Sequence, residues 1–183
     1  GVDLGGTTVS VGLVDDDGAL QGDVRSALLS DVCSAHTPER VAACMARLAQ
    51  EALASAGRAL GEVAAVGVCS PGLLDFERGR IKVAANLRGW RDVPLTELLA
   101  AALGVAASRV VLEHDSNTAL LAEVWAGAAR GRKDVVLLTL GTGVGAGVMC
   151  GGRLLRGARG EAGELGHAIL VPGGRVHGGA GVR

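Results

Sequence analysis

Val2-Asp3-Leu4-Gly5-Gly6-Thr7-Thr8-Val9-Ser10-Val11-Gly12-Leu13-Val14 reads as two apolar strands joined by a glycine-threonine turn. Val9, Val11 and Leu13 fall on one face at the two-residue period of a strand. The unit recurs as Val135 to Leu140, a turn at Gly141 to Gly145, and Ala146 to Cys150. An internal duplication of a phosphate-binding hairpin explains both copies. The glycines let backbone N–H groups approach an anion, and Thr7, Thr8 and Thr142 add hydroxyl donors. Asp3, an isolated acid ahead of the glycines, can hold a hydrated Mg²⁺ beside phosphates. No Lys follows the glycines, so this is not a Walker-type loop. Gly5-Gly6 opens a second strand and not a helix, so it is not the dinucleotide fingerprint either. Taken singly, the first turn is equally well a structural hairpin, and the second can be a tight sheet corner. Two such turns with an acid make a more specific pattern.

The intervening sequence alternates strand and helix signals. Asp17-Gly18 is a hairpin turn, with Ala19 to Val24 as the returning strand and Asp15 to Asp17 as a solvated turn. Thr37-Pro38-Glu39 starts a helix, with the Thr hydroxyl as cap and Pro in the first turn. Val41, Met45, Leu48 and Ala52 form its buried face, and Gly57 fits its stop. Val63 to Val68 predicts a strand with Cys69 beside it, and Ser70-Pro71-Gly72 turns sharply away. Thr96 to Leu103 is an amphipathic segment ended by Gly104, and Arg109 to Leu112 is the next strand. A helix is predicted from Asp115 through Ala129, with Leu121, Val124, Trp125 and Ala128 as its apolar positions. This alternation predicts an α/β fold, a mixed sheet with helices packed on it.

Composition narrows the function classes. Of 183 residues, 49% are hydrophobic and 20% charged, which is a foldable composition. The 30 glycines follow no collagen period, so they mark turns and close approaches. Phe76, Trp90 and Trp125 are the only aromatics, which leaves an aliphatic core and no stacking platform for nucleic-acid bases. The net charge of −1 offers no basic field for a phosphate backbone, and Arg130 to Lys133 reads as a solvated helix end. Cys33, Cys44, Cys69 and Cys150 lack C-x-x-C spacing and are expected to be buried thiols in a reducing, cytoplasmic setting. No membrane association is expected: the most apolar run, Val135 to Met149, is interrupted by Gly141, Gly143, Gly145 and Gly147. No secretory leader pattern opens the chain, and residue 1 is not Met, so Gly1 is not expected to be the native start.

Three polar groups can carry chemistry. Glu113-His114-Asp115-Ser116-Asn117 follows a strand and begins a helix. A carboxylate there can take a proton from a substrate hydroxyl, or Asp115 can simply cap the helix. His114 and Asp115, as neighbours on an extended segment, are expected to point apart. In Glu161-Ala162-Gly163-Glu164-Leu165-Gly166-His167, a helical turn would bring Glu164 and His167 together as i,i+3 neighbours. Such a pair can accept from and donate to sugar hydroxyls. A zinc pair is the rival reading, but it needs two further ligands; no cysteine follows Cys150, and His177 is the only extra imidazole nearby. Asn86, central in Ala85-Asn86-Leu87-Arg88-Gly89-Trp90, can read a pair of hydroxyls or cap a turn.

Together these segments resemble the ROK sugar kinases of the actin-like ATPase superfamily, in order and over essentially the whole chain. Asp3 to Thr7 and Gly141 to Gly147 resemble the two phosphate hairpins, and Ser70-Pro71-Gly72 the family's S/x-P-G turn. Asn86 to Trp90 resembles the sugar loop, Asp115 and Asn117 the Asn-Asp-x-Asn segment, and Gly160 to His167 the Ala-Gly-Glu-x-Gly-His signature. The resemblance implies an actin-like (ribonuclease H-like) α/β fold, with residues 1–112 as one lobe and 113–183 as the start of a second, truncated lobe. It implies ATP-dependent phosphorylation of a hexose, glucose first, with N-acetylhexosamines and fructose open. Asp115 would be the general base. Asn86, Glu164 and His167 would hold the sugar. Asp3, Gly5, Gly6, Thr7, Thr142 and Gly143 would line ATP and Mg²⁺. A cytoplasmic homo-oligomer is implied.

Four departures from the family pattern stand out. His114 replaces the usual Asn, and Thr8 a frequent Lys or Asn. The zinc pattern C-x-C-G-x-x-G-C expected after His167 is absent from Val176-His177-Gly178-Gly179-Ala180-Gly181-Val182. Three inserted cysteines would restore it, so either zinc is lost, or metal-bound cysteines are missing from the chain and His167 is a zinc ligand. Finally, family chains run well beyond this length. The family also contains sugar-responsive transcriptional repressors. That alternative, and any nucleic-acid partner, requires a helix-turn-helix upstream of Gly1.

Overall fold

The first hairpin forms as its sequence pattern demands. In the computed structural model, which describes residues 1–32, 37–84, 86–141, 143–169 and 171–173, β1 (Val2–Leu4) pairs antiparallel with β2 (Thr8–Val14). The Gly5 N–H donates to the Thr8 carbonyl at 2.8 Å, closing the turn. β3 (Leu20–Leu28) returns antiparallel to β2 and runs four residues past the expected Val24. The turn between them is held by Asp15, whose Oδ1 accepts from the N–H groups of Asp17 and Ala19. A short α1 (Leu29–Val32) precedes α2 (Pro38–Ser55). Pro38 opens α2, but the Thr37 side chain makes no capping hydrogen bond, contrary to the expected hydroxyl cap.

β4 (Val66–Ser70) lies parallel to β1, and β8 (Val110–His114) lies parallel to β4. The resulting five-stranded sheet has the order β3-β2-β1-β4-β8. Between β4 and β8 the chain inserts a small antiparallel sheet of β5 (Leu73–Asp75), β6 (Arg80–Val83) and β7 (Arg91–Val93), followed by α3 (Leu95–Leu103). Gly72 makes the entry to that sheet at φ +105, where a Cβ would stand 2.4 Å from the Val83 carbonyl oxygen. β4 starts three residues later than predicted and takes in Cys69 and Ser70. Pairing with β8 extends as far as Ser70 opposite His114, so the partner strand sets the end that local sequence misplaced.

The core lies between this sheet and α2 and α3. Val41, Met45, Leu48 and Ala52 of α2 are buried, as are Val9, Val11, Val68, Leu99 and Leu112. Burial of each large aliphatic side chain contributes about 1.5–3 kcal/mol. Of the described cysteines, Cys44 and Cys69 are buried free thiols, whereas Cys150, expected inside, is exposed at the end of its strand.

α4 (Asp115–Trp125) follows β8 directly and ends four residues before the predicted Ala129. The Glu123 carboxylate accepts from the Ala128 N–H at 2.7 Å and Trp125 Nε1 donates to the Asp16 carbonyl at 3.1 Å, so side chains tie the end of the helix into a turn. Its buried face is Ser116, Asn117 and Leu120, not the predicted stripe; Leu121, Trp125 and Ala128 are exposed. The cause is the second hairpin, β9 (Val135–Leu140) with β10 (Val144–Cys150), which pairs antiparallel and adds β11 (Arg153–Leu154). β10 crosses the first turns of α4, where a Cβ on Gly147 would stand 2.7 Å from the Ser116 carbonyl oxygen and 2.8 Å from Leu120 Cβ. No helix among the described residues is long and apolar enough to cross a membrane.

Candidate functional site

Parallel strands β1, β4 and β8 end on one edge of the large sheet. Register places Asp3 opposite Cys69, and Cys69 opposite Glu113. The carboxyl ends of parallel strands are where open α/β sheets bind ligands. The Cys69 thiol donates to Asp3 Oδ1 at 3.3 Å. Burial, reinforced by the charges of Asp3 and Asp115, pushes that thiol up to about 12. Cys69 is therefore a neutral donor to Asp3, a role its sequence context did not signal.

The β8–α4 junction carries the next group. His114 is still extended (φ −73, ψ 143), and the chain becomes helical at Asp115. That change of direction breaks the alternation of side chains. Contrary to the expectation that the two point apart, His114 Nδ1 lies 3.0 Å from Asp115 Oδ1. Contact with Asp115 raises the proton affinity of His114 against the opposing effect of burial. The same contact lowers that of Asp115, helped by the Ser116 donors. Ser116 donates to Oδ1 through its N–H at 2.6 Å and its hydroxyl at 3.2 Å. Among the described residues Asp115 Oδ2 has no hydrogen-bond or ion-pair partner. Asp115 is the first residue of the helix and not its N-cap, which is His114.

Glu113, one residue back, organises the base of the site. Its carboxylate accepts from Asn117 Nδ2 at 2.9 Å and from Arg156 Nε at 3.0 Å. Arg156 also stacks over Phe76, 5.4 Å from the ring centroid. No sequence motif pointed to Arg156 or Phe76. Among the described residues Asn117 Oδ1 is buried without a hydrogen-bond partner, an orphaned acceptor beside the site.

The Gly160 to His167 segment reaches this junction from the other side. Leu165–His167 is a 3₁₀ turn, so the expected i,i+3 approach of Glu164 and His167 occurs, at 3.6 Å. Glu164 Oε1 also lies 3.8 Å from His114 Nε2. Gly163 and Gly166 seat the segment on the second hairpin; a Cβ on either would stand 2.3 Å from the Ala146 and 2.2 Å from the Val144 carbonyl oxygen respectively. Ser116 completes the link, its hydroxyl 3.3 Å from that of Thr139 on β9.

Asn86 is exposed and packs on the first hairpin, where a Cβ on Gly6 would stand 2.7 Å from its own Cβ. The structure thus joins Asn86 to Gly6, Asp115 to His114, His114 to Glu164, and Glu164 to His167. Gly5, Gly6 and Thr7 form the first turn, and the Gly141 N–H donates to the Gly143 carbonyl at 2.9 Å in the second. Thr142, expected at the phosphates, lies outside the described residues, as do residues 174–183, where the altered zinc pattern falls. Among the described residues no group of three or more His, Cys, Asp and Glu is arranged to hold a metal.

Comparison with known proteins identifies the pattern. The ROK family model matches residues 1–182. A glucokinase of Thermotoga maritima is 41% identical over 175 residues, covering 95% of this chain and 51% of its own. The crystal structure of a ROK hexokinase from Thermus thermophilus superposes with a TM-score of 0.79 at 41% identity, over 97% of this chain and 55% of that one. A ROK glucokinase from Streptomyces griseus, solved in complex with glucose and AMPPNP, superposes at 0.73 with 33% identity, over 94% of this chain and 50% of that one. This chain spans about half the length of the relatives it matches.

Proposed function

This chain belongs to the ROK family, and on that premise we propose that its protein phosphorylates a hexose hydroxyl with ATP, glucose being the expected sugar. The observation that carries the reading is Asp115, held at the carboxyl edge of the sheet by three contacts to Oδ1 while Oδ2 has no partner among the described residues. A sugar hydroxyl becomes a competent nucleophile when its proton has an acceptor, and Oδ2 is that acceptor. Glu164, His167 and Asn86 hold the other hydroxyls. Their mixture of acceptors and donors suits a polyol.

The two glycine turns, with Gly5, Gly6 and Thr7 in one and Thr142 and Gly143 in the other, line the phosphates with backbone N–H groups. Phosphoryl transfer depends mainly on such positioning and charge neutralisation. Asp3 fits a Mg²⁺ site: it is exposed, and only its Oδ1 is engaged by a described partner, the Cys69 thiol. A magnesium ion takes one or two carboxylates and keeps several waters; when bound it neutralises phosphate charge. We assign residues 1–112 to one lobe and 113–183 to the start of a second. Homo-oligomerisation in the cytoplasm is part of the same proposal.

The test is a panel of hexoses, N-acetylhexosamines and fructose with ATP and Mg²⁺, using the complete protein. Glucose is expected to give the highest kcat/KM. Failure of every sugar overturns the proposal and turns attention to a sugar-responsive repressor.

A further inference from the structure

His114 stands where one ring can hold two carboxylates. Its Nδ1 lies 3.0 Å from Asp115 Oδ1, and its Nε2 lies 3.8 Å from Glu164 Oε1. The imidazole side chain is 18% exposed, while those of the two acids are 44% and 50% exposed. A doubly protonated ring presents a donor to each carboxylate. A neutral ring has one N–H and turns a lone pair toward the other acid. The acids acting on the ring are Asp115 on α4, Glu164 ahead of the 3₁₀ turn, and Glu113 on β8. Each favours the imidazolium.

We propose, building on the kinase reading above, that His114 is a positioning residue that clamps Asp115 and Glu164 in one register in its doubly protonated form, and that loss of its proton releases Glu164. The asymmetry follows from the distances. The neutral ring keeps its single N–H on the closer carboxylate, Asp115, so Oδ2 stays aimed at the reacting hydroxyl. Glu164, at the longer distance and seated on the 3₁₀ turn, then faces an acceptor and swings away. The longer contact is one that substrate binding tightens. Alkaline pH therefore weakens sugar binding while turnover of bound sugar is largely kept. An amide at this position cannot reproduce the effect, because it does not titrate.

The complete protein provides the test, with sugar KM and kcat measured over roughly pH 6 to 9, the range that brackets a histidine titration raised above its ordinary value. Wild type, His114→Asn and Glu164→Gln are compared, and the His114 ring protons are followed by NMR. In wild type the sugar KM is expected to rise about tenfold across the ring titration, the loss of one charge-assisted hydrogen bond, with kcat changing much less. His114→Asn is expected to show a KM independent of pH. In Glu164→Gln the ring is expected to titrate at lower pH, since one negative neighbour is gone. A flat wild-type KM, or the same rise in His114→Asn, overturns the clamp. If no sugar is phosphorylated, the kinase reading fails, and the NMR titration still decides: a downward shift in Glu164→Gln supports the clamp, and an unchanged one overturns it.

Discussion

Replacing Gly163 by Ala tests how the signature turn is held on the second hairpin. Gly163 has φ +96, a conformation that costs an L-residue about 1–3 kcal/mol. The added Cβ would stand 2.3 Å from the carbonyl oxygen of Ala146, and relief to 3.0 Å needs a movement of about 0.7 Å. Ala146 cannot supply it, because it is buried in β10 and paired with Leu138 of β9. The turn must move instead, carrying Glu164 with it. Strain and displacement together are expected to cost about 2–4 kcal/mol of stability. A shift approaching 1 Å at a positioning group is expected to lower kcat/KM for the sugar by about ten- to a hundredfold. Gly57→Ala is the control: its φ is +64, and a Cβ there meets nothing within 4 Å, so only strain remains. That variant should lose about 1 kcal/mol and keep its kinetics. The assays are urea unfolding at matched slope and steady-state kinetics with glucose in the complete protein. If Gly163→Ala is no less stable than Gly57→Ala and binds sugar normally, the turn is not locked to β10.

Asp115→Asn should lower kcat by at least about a hundredfold while calorimetry still detects sugar binding, and Glu164→Gln should chiefly weaken that binding; a near-normal kcat in Asp115→Asn would reduce Asp115 to a structural role. Thiol labelling near pH 8 should modify exposed Cys150 well before Cys69, whose thiol is pushed up to about 12; preferential loss of Cys69 would contradict its burial beside Asp3. The His114–Asp115 contact also has a pH signature in stability. The raised histidine contributes fully below its ordinary value of 6.5, and the contribution fades as pH rises through the higher folded value. The lowered aspartate contributes above its ordinary value of 3.8, and the contribution fades as pH falls through the lower folded value. Urea midpoints of wild type minus those of His114→Asn should therefore peak between these limits, and a difference independent of pH would count against the contact. Arg156→Ala should destabilise the β8–α4 junction by about 1–3 kcal/mol, because it leaves the largely buried Glu113 carboxylate without its cation; unchanged unfolding would show that Glu113 is satisfied elsewhere.

The elements were legible where the signal is local. Two-residue alternation marked the first hairpin, an apolar run ended by a glycine turn marked the second, helical spacing marked the buried face of α2, and glycine at positive φ marked the stops after α2 and α3. These features depend on a residue and its near neighbours, so they survive without knowledge of what packs on them. The candidate residues also came from local pattern: Asp3, Asn86, Asp115, Glu164 and His167 each lie in a short polar or glycine-rich string.

Contacts between distant segments were not legible. The apolar stripe of α4 was misassigned because its burial depends on β10 crossing Ser116 and Leu120, and Gly145 and Gly147 permit that crossing without announcing it. The Arg156–Glu113 pair spans 43 positions and the Cys69–Asp3 hydrogen bond 66, with no periodicity to connect either. His114 and Asp115 are adjacent, yet their meeting depends on the chain turning from strand to helix between them, at an end that pairing with β4 sets. Local chemistry chose which residues could act, because residue type and spacing are properties of a string. Packing chose which of them meet, because side-chain direction and distance exist only once the strands have paired and the hairpin has closed over α4.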